Sequence, residues 1–169
     1  MCVYIIPHPT PLLILAKEQK KILQELNTLF FDRHPDIQKK YGCLFLPSYP
    51  LWCKTNIQLQ DTSLKELRAQ IRNCHIQAPL LYNQHIVYPV SYSVHEKQTT
   101  QFITVASYNH TITKKHDDIF QDFIKTNVSQ LLTTYQDTFP LQCKIFQLAH
   151  ISEKNHVLYL KESVWVKVK

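Results

Sequence analysis

Between Leu12 and Phe30, apolar residues recur at positions 12, 15, 16, 22, 23, 26, 29 and 30. Steps of three and four lay one stripe along a helix, and Lys17, Lys21 and Glu25 fall on the opposite face. Thr10 followed by Pro11 supplies a hydroxyl cap and a proline at the first helical position, so the helix is expected from there to about Phe31. Ahead of it, the β-branched run from Val3 to Ile6, closed by Pro7, reads as an interior strand. Asp32 to Asp36 reads as a loop, with Pro35 barring continuation of the helix.

Beyond Gly42 the apolar stretch to Lys54 is cut by Pro47 and Pro50, which predicts an edge strand or a break between two strands. Ser63-Leu-Lys-Glu66 is a capping box, with Leu64, Leu67 and Ile71 inward on a short helix reaching about Asn73. Residues 79 to 94 form a β-rich run broken at Pro89, and the polar segment His95 to Thr100 turns it into the strand Gln101 to Thr113 as a hairpin. Ile119, Phe120, Phe123, Ile124, Val128, Leu131, Leu132 and Tyr135 trace a third helix, which Asp117 and Asp118 open. Two strands, 142 to 151 and 156 to 169, close the chain around Ser152 to Asn155. Hairpins mixed with amphipathic helices predict a single α+β domain over 1–169. It is expected to be a largely antiparallel sheet with helices on its outer faces, in one body or two lobes around a cleft.

Composition removes some functions. Gly42 is the only glycine, so neither a P-loop nor a dinucleotide fingerprint can be built. A net charge of +6 suits anionic partners such as RNA or nucleotides, or simply solubility, and only Arg33, Arg68 and Arg72 carry guanidinium forks. Five unpaired cysteines, an N-terminus without a basic leader and no span-length apolar run predict a soluble cytoplasmic protein with reduced thiols, most of them buried. Nine histidines show no zinc-type spacing, so no metal and no other cofactor is expected. A Cys–His nucleophilic pair stays open, because such partners meet only in space.

Three groups of residues could carry chemistry. His110 sits between hydroxyls in Asn109-His110-Thr111-Ile112-Thr113, ahead of Lys114 and Lys115. Strand alternation puts His110 and Ile112 on one face and turns Thr111 and Thr113 away, so the hydroxyl is one residue out of register unless a bulge corrects it. Lys54, Lys114 or Lys115 could hold a phosphate as point charges. In Val164-Trp-Val-Lys-Val-Lys169, alternation puts Trp165, Lys167 and Lys169 together, a stacking platform for single-stranded nucleic acid or a plain solvated edge. Tyr49-Pro-Leu-Trp-Cys-Lys54 is also echoed by Phe139-Pro-Leu-Gln-Cys-Lys144.

The element order, the opening Val3-Tyr-Ile-Ile-Pro7 before a long helix, and the closing Phe146-Gln-Leu, Val157-Leu-Tyr-Leu and Val164-Trp-Val166 resemble the 2H phosphoesterase superfamily, which includes the RNA 2′,3′-cyclic phosphodiesterases. That resemblance implies two pseudo-symmetric lobes and one His-x-Thr motif per lobe. One imidazole would act as base and the other as acid, and the threonines would hold phosphate. His110 matches one motif place, with Thr111 and Thr113 the nearest hydroxyls, whereas the other place, Pro50 to Thr55, contains no histidine. The expected function is therefore a degenerate 2H-like protein that binds, and at most hydrolyses without a metal, an RNA or nucleotide phosphodiester. The alternative is a non-catalytic module contacting protein or nucleic acid through its basic, aromatic surface.

Overall fold

The computed structural model describes residues 2–55, 63–136 and 141–167. Strand β1 (Cys2–Pro7) leads into helix α1 (Pro9–Arg33), whose cap is the His8 ring, accepting from the Thr10 amide at 3.5 Å. Phe30, Leu26, Ile22 and Leu15 are buried as the stripe requires, and Gln19 joins them. That buried amide is satisfied: Gln19 Nε2 donates to the carbonyls of Ser48 (2.9 Å) and Val105 (2.8 Å). One polar side chain on the core face of α1 thus ties the helix to two distant segments of chain, around Ser48 and Val105.

Pro35 does not end helical structure but starts it again. Helix α2 (Pro35–Tyr41) has Pro35 in its first turn, where a missing N–H costs nothing, and stops at Gly42, whose φ is 75°. Strands β2 (Phe45–Pro47) and β3 (Cys53–Lys54) are the two pieces that the prolines separate. Helix α3 (Leu64–Gln70) carries the expected capping box between Ser63 and Glu66. It ends earlier than expected, because Ile71 already belongs to β4 (Ile71–Ile76).

The run 79–94 divides at Asn83-Gln84 and not at Pro89. Strand β5 (Leu80–Tyr82) turns into β6 (His85–Val94), which passes through Pro89 opposite Phe102. The proline's carbonyl accepts from the Gln77 amide at 2.8 Å, just beyond the last pair of β4 with β6. Strand β7 (Lys97–Tyr108) completes the hairpin, so Lys97 to Thr100 are strand and only His95-Glu96 form the turn. The third helix is one rod in three parts: α4 (Lys114–Phe123), a π-helical turn (Ile124–Val128) and α5 (Ser129–Thr133). In the wide turn, Asn127 Nδ2 donates to the Phe123 carbonyl at 3.1 Å. Strands β8 (Leu141–Gln142), β9 (Ile145–Lys154) and β10 (Val157–Lys167) finish the chain.

Among the described residues every strand pair is antiparallel, in two sheets. The first runs β10-β9-β1-β3, and the second runs β2-β7-β6-β4-β8 with β5 also on β6. The fold is α+β, as the pattern predicts. One apolar cluster joins Val3, Ile5, Phe146 and Leu148 of the first sheet to Tyr88, Val90, Ile103 and Val105 of the second, with Phe30 and Phe120 from the helices. Phe30 stacks on Phe120 with centroids 5.1 Å apart and meets Phe123 edge-on at 5.2 Å.

The three hairpin turns, Asn83-Gln84, His95-Glu96 and Asn155-His156, have positive φ at both central residues (45° and 63°, 51° and 65°, 53° and 62°). Such two-residue turns match the twist of the strands they join and favour glycine. None of the three contains one. Of the last expected turn, Ser152 to Lys154 are strand and the turn itself is Asn155-His156, and the β10 arm of this hairpin leaves Val157, Leu158, Tyr159 and Leu160 exposed.

Candidate functional site

The stretch 109–113 is a turn, not a continuation of β7, so counting strand faces does not apply to it. Asn109 builds the turn. Its amide donates to the Leu44 carbonyl at 2.9 Å and its Nδ2 to the Cys43 carbonyl at 3.0 Å. Its Oδ1 accepts from the Thr111 amide (3.2 Å) and from the Thr111 hydroxyl (2.7 Å). With Asn109 buried and bonded on both ends, His110 is pushed outward. Its imidazole is exposed and meets the Tyr108 ring in a T-shaped contact, at 5.8 Å between centroids.

Thr113 occupies the cap position of α4, yet its hydroxyl does not cap the helix. It lies 3.0 Å from the Tyr41 hydroxyl, which also accepts from the Thr113 amide (3.3 Å) and lies 2.9 Å from His116 Nδ1. Tyr41 and His116 meet edge to face, Tyr41 also meets Phe120 at 5.9 Å between centroids, and Lys40 Nζ stands 5.4 Å over the Tyr41 ring. The hydrogen bond from Thr113 lowers the Tyr41 phenol pKa, and Lys40 adds to it. Beside this knot Tyr108 donates to Asp117 at 3.1 Å; burial and then that carboxylate push its phenol up.

The hydroxyls predicted to hold phosphate are therefore engaged. Thr111 spends its only proton on Asn109, and Thr113 is tied to Tyr41. Lys114 and Lys115, exposed in the first turn of α4, remain available, as do that turn's leading amides. No signal in the sequence pairs Tyr41 with His116. They lie 75 residues apart, and no local pattern announces the contact.

The other candidates are elsewhere. Lys54 is exposed on β3 opposite Tyr4, in the first sheet, whereas His110 follows the end of β7 in the second. At the vacant motif place, Leu51 and Cys53 are buried and Trp52 meets Tyr4 edge-on. Thr55 is buried there with its amide and hydroxyl on the Val3 carbonyl. Trp165 on β10 is 53% exposed and lines a pocket with Arg68, Arg72 and Lys167. That pocket is far from Lys114. Arg72 pairs with Ser93 and Ser93 with Gln98, so Gln98 to Tyr108, about 30 Å at ~3.3 Å per residue, separates the two places. Lys169 and the Phe139-Pro140 part of the echo lie outside the described residues.

The echoed cysteines share an environment. Cys53 and Cys143 are both buried between the sheets near Cys74. Burial pushes the Cys53 thiol up to about 12, and the hydrogen bond with Cys143, together with burial, holds Cys74 protonated. Among the described residues no three His, Cys, Asp or Glu side chains converge as a metal site would require, and no helix is long and apolar enough to cross a membrane. Comparison of the chain with protein-family models, curated proteins and solved structures finds no match.

Proposed function

We propose that this is a 2H phosphoesterase-like protein, with its two sheets as the two lobes, that binds an RNA or nucleotide phosphodiester at the turn between β7 and α4. The observation that carries the reading is His110. It is an outward-facing imidazole without a hydrogen-bond partner among the described residues, next to two exposed lysines and the amino end of a helix. Lysine ammonium groups and unpaired amides attract a phosphate, and an unengaged imidazole can take or give one proton near neutral pH. Phosphate binding then falls to Lys114, Lys115 and backbone amides, with Thr111 and Thr113 setting the shape of the turn.

Hydrolysis needs a proton taken from one oxygen and one given to another. His116, the other imidazole of the region, has Nδ1 committed to Tyr41. Binding is accordingly the primary activity proposed, and metal-independent hydrolysis is its second half. The test is a panel of 2′,3′-cyclic nucleotides and cyclic dinucleotides. Turnover that disappears in His110→Ala supports the catalytic half, and no turnover by the unaltered protein removes it. Labelled single-stranded RNA titrated at two salt concentrations tests the binding half, which requires affinity falling steeply with salt. The non-catalytic interaction module is the second reading, and the exposure of Trp165 beside cationic side chains favours it.

A further inference from the structure

Arg68 lies in α3 and Arg72 in β4, so the change from helix to strand between them directs two of the chain's three guanidinium groups to one place. Trp165 and Lys167, two positions apart on β10, present one face of that strand to the same place. Together with Ala69 and Val166 these side chains line a pocket of about 440 Å³. Val166, between Trp165 and Lys167, is buried on the other face of the strand. The indole is half-exposed, and its ring meets that of His8 with centroids 6.1 Å apart and planes 63° from parallel.

Among the described residues, none of Arg68, Arg72 and Lys167 pairs with a carboxylate. Glu66, the acid of α3, is turned back to the Ser63 amide in the capping box. Arg72 uses one nitrogen on the Ile71 carbonyl at 2.9 Å, which steadies the guanidinium and leaves its other donors free. The site thus offers a planar π-face with forked and point-charge donors beside it, and no anion of its own.

We propose that this pocket binds a nucleoside phosphate unit, free or as part of single-stranded nucleic acid, with the base stacked on Trp165 and the phosphate held by Arg68, Arg72 and Lys167. The chemistry is that of sequence-tolerant single-strand binding, an aromatic platform beside a cationic track. The pocket stands at the opposite end of the β6–β7 hairpin from His110, so the inference does not depend on the reading of that turn.

The experiment titrates the full chain with adenosine 5′-monophosphate, a 5′-phosphorylated oligoadenylate and an acidic peptide of matched charge. Indole fluorescence is followed at low and moderate salt. Quenching is expected with both adenine ligands and is expected to vanish in Trp165→Phe if it arises there and not at Trp52. Arg68→Gln/Arg72→Gln and Trp165→Ala should each weaken the adenine ligands about tenfold, and Lys167→Gln by less. Unchanged circular dichroism would show that these surface variants fold. Much tighter binding of the oligomer than of the mononucleotide assigns the site to nucleic acid, whereas equal affinities assign it to free nucleotide. The proposal is overturned if neither adenine ligand binds, if binding survives the double arginine variant, or if the acidic peptide binds as tightly and ignores Trp165→Ala.

Discussion

Tyr41 and His116 share a 2.9 Å hydrogen bond that fastens α2 to the first turn of α4. Phenylalanine at 41 keeps the ring contacts with His116 and Phe120 but removes the hydroxyl that also serves Thr113. Tyr41→Phe should lower the midpoint of urea denaturation only slightly, since the bonds it loses are largely open to water. It should also shift the His116 ring signals in an NMR spectrum, with little effect on a site remote from α4 such as Trp165.

Alkaline pH should weaken the fold. Burial raises the phenol pKa values of Tyr88, Tyr92, Tyr108 and Tyr135, with the Asp117 and Glu25 carboxylates adding to the last two. A folded pKa above the unfolded one means that the unfolded chain loses protons first. The stability these groups contribute is complete below the ordinary phenol value of about 10 and is lost as pH rises above it. Ultraviolet titration should resolve these late phenols from an early one that is absent in Tyr41→Phe, since Thr113 lowers the Tyr41 value.

Glycine should improve each two-residue turn. Gln84→Gly, Glu96→Gly and His156→Gly relieve side chains held at φ of 63°, 65° and 62°. A left-handed conformation costs an ordinary residue roughly 1–2 kcal/mol, offset in part by the entropy a glycine adds to the unfolded chain, so a gain of about 0.5–1 kcal/mol each is expected. Thermal unfolding of the three single variants checks it, and unchanged or lower midpoints in all three would count against this account of the turns.

Core truncation separates apolar from polar fastening. Phe30→Ala empties the ring cluster with Phe120 and Phe123 and should cost ~3–5 kcal/mol. Gln19→Ala leaves the Ser48 and Val105 carbonyls without that buried donor and should cost ~1–3 kcal/mol. Chemical denaturation measures both.

Thiol alkylation at mildly alkaline pH should discriminate among cysteines. Cys53 and Cys74 are buried and kept protonated, so neither should react in the folded protein. Cys43, only partly buried, should label first among the four cysteines whose side chains are described. Mass spectrometry of the labelled peptides, native against denatured, gives the order.

Helical periodicity made α1 legible, and Ser63-Glu66 made the start of α3 legible, because both signals are local. What escaped was decided by competition or distance. Pro35 stops one helix and begins the next, and which role wins depends on packing of Ile37 and Tyr41 against the core. Ile71 continues the apolar spacing of α3 yet belongs to β4, because pairing with Val94 outweighs another helical turn. Asn83-Gln84 is a hairpin turn without the glycine that usually signals one. His110 was identifiable as a candidate from its flanking hydroxyls and lysines, but its exposure follows from Asn109, whose partners are carbonyls 65 and 66 residues earlier. Arg68 and Arg72 gave no hint of Trp165, since only the fold carries α3 to β10.

The β6–β7 hairpin sets a length scale. His110 follows one of its ends and Arg72 lies across from the other, so the two proposed contacts are about 30 Å apart, at ~3.3 Å per residue. A mononucleotide can visit either end but never both. Only an extended polymer could bridge them, and for such a ligand the hairpin would act as a ruler, so that oligomers too short to reach across gain nothing from having two sites.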